Sequence, residues 1–206
     1  MVEKNNGEKQ SKQLINLKMI KKNLSTIVFL IFIAVLLFSP DAKSFLIKQL
    51  LFTGLFNAEI STVNSSDNTL RNHFDFKDYE GNVQNTADLK GKVVFINFWA
   101  SWCSPCIAEF PSIEKFHSKF KDNDNIVFLM INMDDDIAIG KQFLDKKNFL
   151  LPIFQSVSTV PKEIYSGSLP TTIVLDKYGI MRLHHEGFAN YDGEKFNLQI
   201  KQLLEE

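Results

Sequence analysis

An α/β domain with a mixed central sheet flanked by helices is the fold class that the sequence predicts, and three observations predict it. KVVFINFW (92–99) and NIVFLMINM (125–133) are continuous apolar runs, which is how strands buried on both faces read. PCIAEFPSIEKFHSKF (105–120), between them, repeats apolar residues at helical spacing as Ile107, Phe110, Ile113, Phe116 and Phe120. Further on the order of elements changes: TTIVLD, DKYG and IMRLHHEGF make strand, turn and strand over 171–188, and GEKFNLQIKQLLEE closes as an amphipathic helix. A βαβ unit with a right-handed crossover, followed by a ββα unit, gives a sheet with both parallel and antiparallel pairs.

The elements before this domain are of another kind. Residues 1–23 are polar and carry Lys4, Lys9, Lys12, Lys18, Lys21 and Lys22, and they run into the uncharged block LSTIVFLIFIAVLLF (24–38). As a helix that block reaches roughly 22 Å, short of a hydrocarbon core of about 30 Å unless Met19 and Ile20 extend it and the adjacent lysines snorkel. A signal peptide and an uncleaved signal anchor are both compatible with it. The following SPDAKS makes a poor small-x-small cleavage site, because Pro40 falls three positions before a cut at Ala42, so a transmembrane signal anchor over 24–38 is the expectation, with 1–23 cytoplasmic.

SFLIKQLLFTGLF (44–56) reads as a juxtamembrane helix, and 57–73 has the polar, turn-rich composition of a linker. The domain is therefore expected over 74–206. Within it IAIGKQFLDKKN (137–148) is a second helix, and Asp134 to Asp136 before it read as a solvated helix start. Across the chain 23 Lys and Arg balance 24 Asp and Glu, which excludes a global field directed at nucleic acid.

The only two cysteines are Cys103 and Cys106, in WCSPC where a strand hands over to a helix. Backbone amides without partners and the helix dipole favour a thiolate at Cys103, and Cys106 lies one turn inside, within reach to resolve a mixed disulfide. Pro105 suits a first turn, where its missing amide costs nothing. A zinc half-site would need two more ligands from His73, His117, His184 and His185, and a structural disulfide would close a loop too small to stabilise much. Redox chemistry leads these alternatives. His184 and His185, adjacent in a strand, point to opposite faces and read as a solvated pair.

FINFWASWCSPC, with Glu109 and Pro111 after it and SLPTT at 168–172, closely resembles the thioredoxin superfamily, in particular its membrane-anchored TlpA and ResA-like branch of extracytoplasmic thiol-disulfide oxidoreductases. The resemblance covers about 74–206 and implies a thioredoxin-like fold. It implies a redox-active disulfide between Cys103 and Cys106, and a cis bond at Pro170 that presents Leu169 to substrate. It further implies Glu109 as a proton relay to Cys106, which it meets at i, i+3. Trp102, Pro105, Leu169 and Pro170 are then the substrate-facing residues. Asn97 stands where cytoplasmic thioredoxins carry a buried aspartate, so Glu109 leads for that role.

The function implied is reduction of disulfides in exported proteins, apocytochrome c among them. No cofactor is implied, and a DsbD or CcdA-like membrane donor would return electrons to a domain facing the periplasm or cell exterior from a bacterial inner membrane. Alternatives are an oxidase of exported thiols, a copper chaperone using Cys103, Cys106 and His184 or His185, and a binding module without turnover.

Overall fold

The structure is a computed structural model that describes residues 23–35, 38–51, 56–60 and 73–206. Its centre is β3 (Val93–Trp99), in which every residue is buried. Phe95 pairs with Phe128 in parallel β4 (Ile126–Asn132) on one side and with Val174 in antiparallel β6 (Thr171–Leu175) on the other. β5 (Phe154–Ser156) joins β4 in parallel, and β7 (Met181–Glu186) closes the far edge against β6. At the other edge a short hairpin of β1 (Asp75–Asp78) and β2 (Val83–Asn85) lies antiparallel to β5. The strand order among the described residues is β2-β1-β5-β4-β3-β6-β7, a mixed sheet.

The βαβ and ββα units stand where the apolar runs place them. The hairpin of β1 and β2 and the three-residue β5 lie outside those expectations, being too short to show a period. The β6–β7 turn is built by Asp176, 1 % exposed, whose carboxylate accepts from the amides of Tyr178 and Ile180, both at 2.9 Å. Gly179 follows at φ 78°, a conformation that disfavours a side chain.

Residues of β3 alternate between two cores. Val93, Phe95 and Trp99 face α3 (Ser104–Phe120), α4 (Ile137–Lys147) and α5 (Glu194–Glu205), while Val94, Ile96 and Phe98 face a second cluster closed by Phe74, Ile164 and Tyr165. All three helices contribute to the first cluster. The reason is topological: β3, β4 and β5 succeed one another in the same direction along the sheet, so right-handed crossovers bring α3 and α4 to the same face. Aromatic rings fill that face, with Phe95 meeting Phe116 at 5.3 Å, Phe128 at 5.7 Å and Tyr191 at 5.3 Å between centroids.

The chain divides into two units, Met1–Lys43 and Ser44–Glu206. In the first, residues 23–35 are helical (α1), and large apolar side chains stand out from it, Phe29 at 61 % and Leu30 at 60 % exposure. Among the described residues no helix is long and apolar enough to cross a membrane. The expected anchor over 24–38 includes residues 36 and 37, and the basic segment over 1–23 includes residues 1–22; these lie outside the described residues.

A helix over Pro40–Leu51 (α2) follows. The second unit takes in residues 44–51 and 56–60 together with 73–206. Ala58 and Ile60, expected in a linker, are 3 % and 5 % exposed. Ala58 donates its amide to the Asn190 carbonyl at 3.1 Å, and the Ile60 backbone exchanges hydrogen bonds with the Gln199 side chain at 2.9 and 2.8 Å. The remaining linker residues, 61–72, lie outside the described ones.

Phe95 joins rings from β4, α3 and the segment before α5, so Phe95→Ala is expected to lower unfolding stability by about 4 kcal/mol. Urea unfolding of the oxidised chain measures this.

Candidate active site

β3 ends at Trp99, and the next four residues reverse the chain into α3. Cys103 donates its amide to the Ala100 carbonyl at 3.1 Å, closing a tight turn with Ser101 and Trp102 at its corners. Cys103 is the N-cap of α3, and its sulfur accepts from the Cys106 amide at 3.3 Å. The helix therefore starts on the sulfur itself, with Ser104 and Pro105 in its first turn. Cys103 and Cys106 form a disulfide with an S–S distance of 2.01 Å, Cys103 being 5 % exposed and Cys106 fully buried. The Ser44 hydroxyl donates to the Ser104 carbonyl between the cysteines, at 2.9 Å.

The expected substrate-facing residues are spread over two segments. Trp102 is 65 % exposed, whereas Trp99 is buried and packs edge-on against Phe110 at 4.9 Å between centroids. The Leu169–Pro170 bond is cis. The Pro170 carbonyl accepts the Gly187 amide at 2.8 Å, tying its loop to the end of β7. Leu169 is partly buried against both cores.

Glu109 is fully buried. One carboxyl oxygen accepts from the Asn97 side-chain amide at 2.8 Å and the other from the Ala189 backbone amide at 3.1 Å. The Asn97 amide also donates to the Thr172 hydroxyl at 2.9 Å, so the polar side chains of two neighbouring apolar strands meet at this carboxyl. Burial pushes the Glu109 carboxyl up to about 8, against the two N–H donors that pull it down. Tyr191 lies in the same buried region; burial first, and then the Glu109 charge, hold its hydroxyl well above the ordinary tyrosine range.

Thr172, Ala189 and Tyr191 carry the environment of Glu109 and were not singled out in the sequence. Thr172 had a signal, being polar in a strand buried throughout; a backbone amide such as that of Ala189 has none. Asp134 departs from its expected place as a solvated helix start: it is 6 % exposed and its carboxylate accepts from Ser101. Asp136 does start α4, capping the Ala138 amide at 2.9 Å. His184 is exposed, but His185 is half-buried, with its Nε2 shielded from solvent. Among the described residues no group of His, Cys, Asp and Glu side chains is arranged to hold a metal ion.

The family model described as Redoxin matches residues 65–188. The chain belongs to the Redoxin family. It is 30% identical over 131 residues to the thiol-disulfide oxidoreductase ResA of Halalkalibacterium halodurans, across 63% of this chain and 74% of that one. To the thioredoxin-like protein YneN of Bacillus subtilis it is 32% identical over 117 residues, 55% of this chain and 68% of the other. Among solved structures, one assigned as thiol:disulfide interchange protein DsbE from Chlorobium tepidum superposes with a TM-score of 0.56 at 26% identity, covering 69% of this chain and 99% of that one. The pneumococcal exposed lipoprotein thioredoxin Etrx1 superposes with a TM-score of 0.50 at 28% identity, covering 66% and 100%. This redoxin is thus a thiol-disulfide oxidoreductase on a thioredoxin-like fold.

The raised Glu109 value fixes the sign of a pH effect. Glu109 keeps its proton in the folded oxidised protein up to about 8, while the unfolded chain loses it near 4.5, so the folded state binds more protons between those values. The stability contributed is complete below the unfolded value and is lost as pH rises toward the folded one, by at most about 1.4 kcal/mol per pH unit. Urea unfolding of oxidised wild type and Glu109→Gln across this window is expected to show a falling limb in the wild type that the variant flattens.

Proposed function

We propose that this redoxin is a membrane-tethered reductant of disulfides in exported proteins, with Cys103 attacking, Cys106 resolving and Glu109 relaying the proton. The observation that carries this reading is the fully buried Glu109 carboxyl on the same helix as Cys106, one turn beyond it, held by the Asn97 and Ala189 amides. The Cys103 thiolate attacks one sulfur of a substrate disulfide and expels the other as a thiolate. Cys106 then passes its proton to the ionised form of Glu109. Its thiolate attacks Cys103 Sγ, expels the second substrate thiolate and leaves the Cys103–Cys106 disulfide. Two electrons move from the dithiol to the substrate.

Trp102 and the Leu169–Pro170 loop are the surface on which an extended substrate segment rests, and Pro105 shapes the dipeptide between the sulfurs. Apocytochrome c is a fitting substrate class, and a DsbD or CcdA-like donor would restore the dithiol, since free thiols do not persist unaided in an oxidising compartment. Tethering is supported by the lysine-rich flank, the uncharged block over 24–38 and the apolar side chains of α1 that stand in solvent. The placement outside a bacterial inner membrane draws on the same flank and on the exposed lipoprotein thioredoxin of pneumococcus among the similar structures.

The reductase direction is checked by equilibrating the full-length chain with glutathione and reading its disulfide content. A potential near or below roughly −230 mV is expected, and one well above roughly −180 mV would make the chain an oxidase instead. In stopped-flow reduction of a model disulfide, Glu109→Gln is expected to slow release of the mixed disulfide by about 10- to 100-fold while leaving the first attack by Cys103 unchanged. Alkaline phosphatase fused after residue 73 is expected to be active; an inactive fusion would place the domain in the cytoplasm.

A further inference from the structure

The turn that delivers Cys103 is held from the opposite side of the sheet end by a carboxylate outside the dithiol machinery. Asp134 stands two residues past the end of β4, and its two oxygens receive the Ser101 amide at 3.1 and 3.3 Å and the Ser101 hydroxyl at 2.9 Å. Ser101 is one corner of the Ala100–Cys103 turn, so the carboxylate grips that turn through both a backbone and a side-chain donor. Behind it the Asn132 amide donates to the same carboxylate at 2.7 Å, and the Gln155 side chain donates to the Asp134 carbonyl at 3.2 Å. Asn132 and Asp134 are 1 % and 6 % exposed. Charge-assisted hydrogen bonds in so dry a place are among the stronger ones available to a fold.

Asn132 is in turn placed by a residue without a side chain. A methyl group at Gly140 of α4 would stand 2.5 Å from the Asn132 amide nitrogen and 2.6 Å from its carbonyl carbon. The backbone of α4 thus fixes where the amide lies, and the amide fixes the carboxylate.

We propose that Asp134 is a positioning residue for the dithiol, and that Gly140, Asn132 and Asp134 act in series on Ser101 to set how readily Cys103 closes onto Cys106. A turn held in this way presents the Cys103 sulfur at the N-cap, against the Cys106 amide, before the disulfide forms. Loosening the turn lowers the effective concentration of one sulfur at the other, which weakens the disulfide relative to the dithiol. The inference rests on the dithiol-disulfide cycle and not on its direction.

The test is the equilibrium of the full-length chain with glutathione, in which two glutathione molecules and the protein disulfide give the protein dithiol and one glutathione disulfide. Thermal unfolding of each variant is followed alongside. Ser101→Ala is expected to shift that equilibrium toward the dithiol by about tenfold, the loss of one hydrogen bond to a charged group, or about 30 mV. Gly140→Ala is expected to shift it in the same direction by about threefold, although alanine is the better helix former by about 1 kcal/mol.

Asp134→Asn, which keeps one acceptor oxygen, is expected to fall between wild type and Asp134→Ala. Ser101→Ala combined with Asp134→Ala is expected to do no more than Asp134→Ala alone. Should Asp134→Ala not fold, Ser101→Ala and Gly140→Ala decide, because both leave the carboxylate in place. Folded Ser101→Ala and Gly140→Ala chains with the wild-type equilibrium would overturn the proposal, as would effects of Ser101 and Asp134 that simply add. A wild-type potential on the oxidant side would instead overturn the reductase reading, and the ratio of variant to wild type would still report on Asp134.

Discussion

The site depends on housing one carboxyl, Glu109, wholly away from the protein surface. Glu109 lies inside α3 against a sheet face otherwise made of Phe95, Trp99 and Val174. A lone carboxylate there would cost several kcal/mol, and an unpartnered side-chain amide on β3 would cost about 1–3 kcal/mol as well. Each meets part of the other's need, although the Asn97 side-chain carbonyl oxygen stays buried without a partner. Asn97 donates to Glu109 and Thr172, and Ala189 brings a backbone amide to the second oxygen, so the carboxyl has donors but no cation. Burial wins over these donors, and the proton stays.

The same need shapes the segment after β7. For the Ala189 amide to reach Glu109, the chain must leave β7 at Gly187 and cross beneath α3 before α5 begins. Gly187 has a φ of 98° and donates its amide to Pro170. Two residues past Ala189, the Tyr191 amide donates to the Ser112 hydroxyl at 3.2 Å, and that hydroxyl donates to the Glu109 carbonyl at 2.7 Å. One short stretch therefore anchors both the carboxyl and the proline loop above it.

How much of this could be read from the chain follows from range. The strands β3 and β4 and the helix between them are long enough for their periods to show, and WCSPC marks the handover from strand to helix. Strands of three or four residues carry no period, and β1, β2 and β5 are placed by pairing with one another. Residues 57–60 look like a linker because their partners, Asn190 and Gln199, are more than a hundred residues away in sequence. Asp134 fails for the same reason. Two further aspartates after it make a convincing exposed run, and only the parallel register of β3 with β4, Trp99 opposite Asn132, brings it beside Ser101.

Register also sets what surrounds the buried carboxyl: Asn97 of β3 stands opposite Thr172 of β6, so the amide that donates to Glu109 donates to that hydroxyl as well. Burial raises the Glu109 carboxyl to about 8 in the oxidised protein. Reduction introduces Cys106 as a second group able to ionise, one helical turn away in the same dry region. Like charges in a region of low dielectric repel, so the proposed relay has Glu109 and Cys106 share one proton rather than ionise together. In the proposed cycle the Cys106 thiolate forms as its proton arrives on Glu109, which would couple the nucleophile of the resolving step to one internal proton transfer. Asn97 completes the logic: an amide at that position satisfies Glu109 without adding a second carboxylate to compete for the proton.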